Sequence, residues 1–300
     1  AELESARLVL AQELAGLEDE PARLLMRRLG KNFFPAPWAR PSYGDADGLA
    51  AITLDDIRRA YETHYTPNGA VLSVAGKIDP DEVVRAAERL FGDWRGEARV
   101  LPAETPSTTL KEHIPFESAQ THIGLAWPTV TVDHDDFLPM RCALGTLSGG
   151  MSCRLFDEVR EKRGLCYSVS ASYAGSKYHG GVMCYCGSSN ETAQQALDVI
   201  IEQLKRLSRE GITQTELDRC KIRLKSNLVM SQESTAVHAG QMAADYEYFG
   251  RVRTMEEILA RIDTLRLETV NEKIAARPIG PLRLATLGPK ELEIDPALLG

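Results

Sequence analysis

The 300-residue chain lacks an apolar run of the ~18 residues that a membrane-crossing helix needs. It also lacks an excess of positive charge. Its 35 Lys and Arg face 43 Asp and Glu, a net charge of −8. Affinity for nucleic acid rests mainly on Lys and Arg against phosphates, so no nucleic-acid partner is expected. An acidic surface suits neutral or cationic partners, basic peptides among them. No C-x-x-C pair occurs among Cys142, Cys153, Cys166, Cys184, Cys186 and Cys220. Cys184 and Cys186 sit two apart in a strand-like run and point the same way. All six read as small buried hydrophobes in a reducing compartment. There is no G-x-x-x-x-G-K-[ST] pattern either. The Gly149–Gly150 pair ahead of a helix therefore has no lysine to reach a β- or γ-phosphate, and a nucleotide site is excluded.

What is present suffices for two domains at about 150 residues each, and a 43% hydrophobic content can build ordinary cores. Residue 1 is Ala, and a helical pattern over Glu2–Leu17 begins directly on it. No signal-peptide pattern precedes it, so the chain is expected to begin inside a longer protein. A second helix is predicted over Glu18–Leu29, with Pro21 tolerated in its first turn. Residues 33–51, with three prolines, read as loop. Thr53 to Asp56 resembles a capping box that opens a helix to His64. "GAVLSVAGKI" (69–78) reads as a buried strand, and Asp79-Pro80 as the cap and first position of the next helix.

Residues 94–117 are polar, contain Pro102, Pro106 and Pro115, and read as a linker. Beyond it the pattern predicts a strand at 119–128 and a helix at about 135–147. The Gly-Gly loop and a helix at 152–162 come next, then two strands, "LCYSVSASY" and "GGVMCYCGS". "VDHDDF" (132–137) reads as N-capping of the following helix rather than a metal cluster. Asn190 is expected to cap a sheet-covering helix to about Arg209, and Thr213 to open another to about Met230. "LRLATLG" (282–288) is the last strand.

Two segments recur. "ELESARLVLAQEL" (2–14) pairs with "ELDRCKIRLKSNL" (216–228), and the stretch 52–76 pairs with 263–288, both at an offset of about 212–214 residues. In each copy a helix leads through a Pro or Gly turn into a terminal strand. About 95 residues precede Glu216 in the second copy and none precede Glu2, so about 95–100 residues are expected upstream if the copies are equal.

These motifs, in this order, resemble the insulinase/pitrilysin family of zinc metallopeptidases, above all its short bacterial members related to mitochondrial processing peptidase. "YTPNGAVLSVAGKIDPDEVVRAAERLFGDW" is similar to one family signature. "GGMSCRLFDEVREKRGLCYSV" is similar to the second-domain motif, a glycine loop followed by SRLFxxLREKxGLxYSV. The resemblance spans residues 4–288. It implies an α+β fold of two related domains, each with an antiparallel-rich sheet covered by helices. They close as half-shells around a peptide chamber, and the first is incomplete here. Its implied divisions are 1–98 for the latter half of the catalytic-type domain, 99–116 for the linker and 117–290 for a second, substrate-contacting domain.

The resemblance implies catalysis by an H-x-x-E-H zinc helix with one further glutamate downstream. None of His64, His113, His122, His134, His179 and His238 forms that motif. Zn²⁺ is therefore expected in the full-length parent and not in this fragment, which is expected to be inactive alone. By motif position, Glu13 in "RLVLAQELAGLEDEP" matches the distal zinc ligand. Arg160 and Tyr167 match the family's Arg and Tyr that donate to the substrate backbone near the scissile carbonyl, where negative charge builds during hydrolysis. Gly149 and Gly150 match its substrate-contacting loop. The implied partner is a peptide or unfolded polypeptide, with homo- or heterodimerisation open. The expected compartment is the cytoplasm, with the periplasm open. The competing reading is a non-catalytic partner or scaffold subunit of a processing-peptidase-like complex.

Overall fold

The computed structural model describes residues 2–17, 19–97 and 103–300. They group into two compact units. The first comprises residues 1–14, 43–103 and 226–258, the second 15–42, 104–225 and 259–300.

The second unit holds a five-stranded sheet of β1 (Lys111–Pro115), β2 (Gln120–Thr129), β3 (Cys166–Gly175), β4 (Gly180–Ser189) and β5 (Arg283–Gly288). The spatial order is β1-β5-β2-β4-β3. β1 runs parallel to β5, and every other pairing is antiparallel. Alternation along β2 explains how both faces are filled. Ile123, Leu125 and Trp127 point into one core with Cys184 and Cys186. On that side lie α6 (Phe137–Ser148) and α7 (Ala193–Glu210), whose Leu144, Leu147, Leu197, Ile200 and Leu204 are buried. Ala126 on the opposite face meets α2 (Pro21–Phe33), which inserts the fully buried Leu25 and Leu29 against Ala285 and Leu287. The absence of a side chain at Gly124 lets both leucines lie close to β2. α11 (Leu267–Ala276) contributes Val270 and Ile274 to the larger core.

The first unit contains most of α1 (Glu2–Gly16) together with α3 (Ala46–Ala51), α4 (Leu54–His64), α5 (Pro80–Phe91) and α9 (Thr235–Phe249). α8 (Gln214–Ser231) and α10 (Met255–Asp263) each run from one unit's residues into the other's. The predicted caps are formed. Thr53 Oγ1 accepts from the Asp56 amide at 3.2 Å, and the Asp56 carboxylate accepts from the Thr53 amide at 3.0 Å. Asp79 caps α5, with Pro80 at its first position. Thr213 and Glu216 exchange the same pair of bonds at the start of α8.

Several expectations are corrected. Residues 69–78 form no strand, and Val71, Leu72, Val74 and Ile78 are exposed. A strand needs a neighbour for its amides, and among the described residues none pairs with this one. Within the segment read as linker, residues 111–115 form β1, while 98–102 lie outside the described residues. The loop read over 33–51 contains α3, capped by Asp45. Asn190 does not cap α7: its side chain bridges Thr121 Oγ1 and the Ser118 carbonyl, and Thr192 holds the cap position. Asp136 makes no side-chain cap bond to α6. It takes Lys273 Nζ and Arg277 Nε, each at 3.0 Å. Burial opposes its charge, but these two partners outweigh burial and hold its carboxyl below the ordinary range.

Candidate functional site

The segment 152–162 was expected to be an ordinary helix. Residues Phe156–Glu161 instead form a π-turn, in which the Lys162 amide reaches the Asp157 carbonyl five residues back at 2.9 Å. Turns of this kind recur at functional sites because the extra residue re-aims its neighbours. Leu155 and Val159 anchor the turn in the core, both fully buried. Arg160 lies on the exposed side, its guanidinium carbon 5.0 Å from the centre of the Phe156 ring. A cation over an aromatic face is held weakly.

The nearby carboxylates are already engaged. Lys162 Nζ sits 2.7 Å from both Asp157 and Glu158, and Arg163 bonds the Glu158 carbonyl at 2.8 Å and its carboxylate. These bonds hold the Glu158 carboxyl below its ordinary value. Among the described residues no carboxylate pairs with Arg160.

Gly164, at φ +61°, turns the chain into β3, one of the sheet's two edge strands. Cys166 pairs with Ser188 and Ser168 with Gly187, so Tyr167 is the extra residue of a β-bulge. Tyr167 is 65% exposed. Arg160 and Tyr167 are thus displayed by two adjoining irregularities, the π-turn and the bulge. The guanidinium's charge acts on Cys166, the residue immediately before Tyr167. That thiol is a feature that sequence reading placed with the buried cysteines; the other five are buried, but Cys166 is half-exposed. A hydrogen bond from Cys186, aided by Arg160, lowers its pKa against the opposing effect of burial.

The two loop glycines have structural causes. A Cβ at Gly149 would collide with the Arg223 guanidinium and the Gly145 carbonyl, and Gly150 has φ +135°. The loop is tied to β3 by Ser148 Oγ, which accepts the Ala171 amide at 2.7 Å. A cavity of about 220 Å³ opens beside it, lined in part by Gly149, Gly150, Arg219 and Arg223. Arg154, one helical turn before the π-turn's middle, is structural. It is buried, with Nε and Nη2 each 2.8 Å from Glu216 and Nη2 also on the Gly211 carbonyl.

Glu13 lies on α1 in the first unit and is exposed. Zinc takes about four ligands, and among the described residues no three His, Cys, Asp or Glu side chains gather where they could hold a metal ion. The residues described do not fit a zinc site.

The fold is that of M16-type peptidase domains. It matches the crystal structure of a peptidase M16 inactive domain from Pseudomonas fluorescens with a TM-score of 0.86 at 23% identity, covering 98% of this chain and 71% of that one. A chain of the Complex III2 structure from Candida albicans matches at 0.80 and 17% identity, covering 96% and 72%. Residues 51–224 match the family described as "Peptidase M16 inactive domain", and the chain belongs to that family. It is 30% identical over 272 residues to the uncharacterized zinc protease YmxG of Bacillus subtilis, covering 90% of this chain and 66% of that protein. An uncharacterized zinc protease of Streptomyces coelicolor is 29% identical over 297 residues, at 92% and 64%. The chain thus spans about two thirds of the length of these relatives.

Proposed function

We propose that this chain is a fragment of a zinc metalloendopeptidase, made of the latter half of its catalytic-type domain and a second, substrate-contacting domain, and inactive alone. In it Arg160 and Tyr167 donate hydrogen bonds to the backbone carbonyl of a bound peptide. The observation that supports this reading is the exposed pair itself: a guanidinium with no carboxylate partner among the described residues and, seven residues on, a phenol on a bulge. Donors fixed before substrate arrives stabilise the charge that builds on a carbonyl oxygen as water adds to it. The zinc-protease names of the relatives support the reaction class. Zinc would activate the attacking water in the parent protein, and this chain's part would be to orient the peptide. In the same proposal 1–98 and 117–290 belong to successive domains joined by 99–116, Glu13 serves the parent's zinc site, and the Gly149–Gly150 loop borders the peptide. The cytoplasm is the proposed compartment.

The test uses the full-length protein and a quenched fluorescent peptide. Arg160→Gln and Tyr167→Phe should each lower kcat/KM by about 10²–10³ with the melting temperature unchanged. Activities within twofold of the unaltered protein would overturn the assignment. A full-length protein that lacks peptidase activity, yet restores it to a zinc-bearing partner, would move the reading to a partner subunit.

A further inference from the structure

The cavity of about 220 Å³ beside the Gly149–Gly150 loop is lined by Cys220 of α8. Cys142 of α6 is not among its lining residues, yet the two sulfurs lie 3.0 Å apart. Cys142 is 0% and Cys220 3% exposed, so a small molecule that enters the cavity meets Cys220 first, with Cys142 behind it. Cys153 lines the cavity too, but among the described residues its thiol has no sulfur partner. A disulfide is about 2.05 Å long, so a bond between Cys142 and Cys220 needs an approach of only about 1 Å. Gly145 leaves room for the arrangement: a Cβ there would lie 3.5 Å from the Cys220 sulfur and collide with the Arg223 guanidinium.

The charges around Cys220 favour its thiolate. Glu216 is the carboxylate of the cavity lining, and Arg154 and Thr213 already engage it. Asp218, beside Arg219 in the sequence, takes the Gln214 amide at 2.7 Å. Arg219 and Arg223 line the same cavity, and neither has a carboxylate partner among the described residues. A hydrogen bond from Cys142 and the charges of Arg223 and Arg141 hold the Cys220 thiol below its ordinary value, against the effect of burial. The bond to Cys220 and burial push Cys142 up, so it keeps its proton. The thiolate in an electropositive site is the reactive form of cysteine. In a reducing compartment, a pair that closes to a disulfide is a sensor rather than a structural bridge.

We propose that Cys220 and Cys142 are a dithiol oxidised by hydrogen peroxide, in which Cys220 reacts first and Cys142 closes a disulfide between α8 and α6. The Cys220 thiolate attacks one peroxide oxygen. An S–O bond forms, the O–O bond breaks, and the hydroxide released takes up the proton that Cys220 had lost. The Cys142 sulfur then attacks the Cys220 sulfur. An S–S bond forms, the S–O bond breaks, and the hydroxide leaves with the Cys142 proton as water. Two thiols lose two electrons and two protons, and one peroxide is reduced to two waters. A dithiol reductant reverses the closure by exchange. The proposal uses neither Arg160 nor Tyr167 and does not depend on the peptidase reading.

Peptide mass spectrometry tests it on the reduced whole chain, treated with hydrogen peroxide and then alkylated under denaturing conditions. The peptides of Cys142 and Cys220 should appear linked and lighter by two hydrogens, and dithiothreitol should restore both. Cys142→Ser should stop the reaction at a sulfenic acid on Cys220, which dimedone captures. Arg223→Gln should slow bridge formation about tenfold by lowering the thiolate fraction, and Arg223→Lys should restore the rate to within about threefold. If these variants fail to fold, the linked peptide of the unaltered protein decides. Cys142 and Cys220 both left open to alkylation once the half-exposed Cys166 has been oxidised would overturn the proposal. So would a bridge from Cys220 to Cys153, or an Arg223→Gln rate equal to that of the unaltered protein.

Discussion

Residues 69–76 and 282–288 occupy matching places in the internal repeat. Each is a short apolar run that follows a helix and a Pro or Gly turn. The second is β5, hydrogen-bonded to β1 on one side and β2 on the other, with Leu284, Ala285 and Leu287 buried. The first forms no strand, and its Leu72 is 62% exposed. The contrast extends to the two units. Among the described residues, every buried hydrophobic side chain belongs to the second unit. α4 and α5 in the first unit have sound caps and amphipathic sequences but bury nothing. Capping and propensity supply a helix with about 1 kcal/mol here and there, while most helical stability comes from packing an apolar face. A strand depends on its neighbours still more, because all of its main-chain bonds are made to other segments.

Hydrogen exchange should show this difference at its largest. Amides of β2, β4 and β5 should exchange about a thousandfold more slowly than those of α4 and α5, since exchange follows the free energy of local opening. Equal protection in the two sets would break the comparison. Next in size is a pair of leucines. Leu125 is 1% exposed in the larger core, and Leu125→Ala should cost about 3 kcal/mol in denaturant unfolding. Leu72→Ala should stay within about 0.5 kcal/mol. A Leu72 cost near that of Leu125 would show that residues 69–78 are packed after all.

Glu216→Gln should cost about 3 kcal/mol in the same assay, because it strands the buried Arg154 guanidinium and removes a cap from α8. A cost below about 1 kcal/mol, the value of a surface pair, would mean that water reaches Arg154. The smallest effect concerns pH. Burial pushes His122 below 6.5, and its Nδ1 lies 2.8 Å from the Tyr185 hydroxyl. The unfolded chain binds the proton at higher pH than the folded one. Stability from this group is therefore fully present above pH 6.5 and declines as pH falls through the folded value, with a slope of at most about 1.4 kcal/mol per pH unit. His122→Gln should flatten that slope in denaturant unfolding between pH 7 and 5, two values chosen to span about one titration. An unchanged slope would assign the effect to other groups.

Legibility in the sequence followed the range of the interaction. The caps at Thr53, Asp79 and Thr213 were readable because each bond closes within two or three residues. Strands β2 to β5 were readable from apolar runs. β1 was hidden in a polar, proline-containing stretch, because its partner β5 lies about 170 residues further along, beyond the reach of any local pattern. Asp136 carries the residue type of a helix cap, yet two cations from α11 and the residue just after it claim its carboxylate. Arg160 and Tyr167 were found through a family motif. Their exposure was not: simple alternation does not place a bulge at Tyr167, and helical periodicity does not place a π-turn at Arg160.

By itself the sequence determined the family, the local caps, the apolar strands and the residue types at positions 160 and 167. Those depend on composition, order and contacts a few residues apart. Tertiary structure decided which apolar segment becomes a strand, which carboxylate is buried against which cation, and which side chains are left exposed. Each of those outcomes depends on groups distant in the chain, and only the fold brings them within bonding distance.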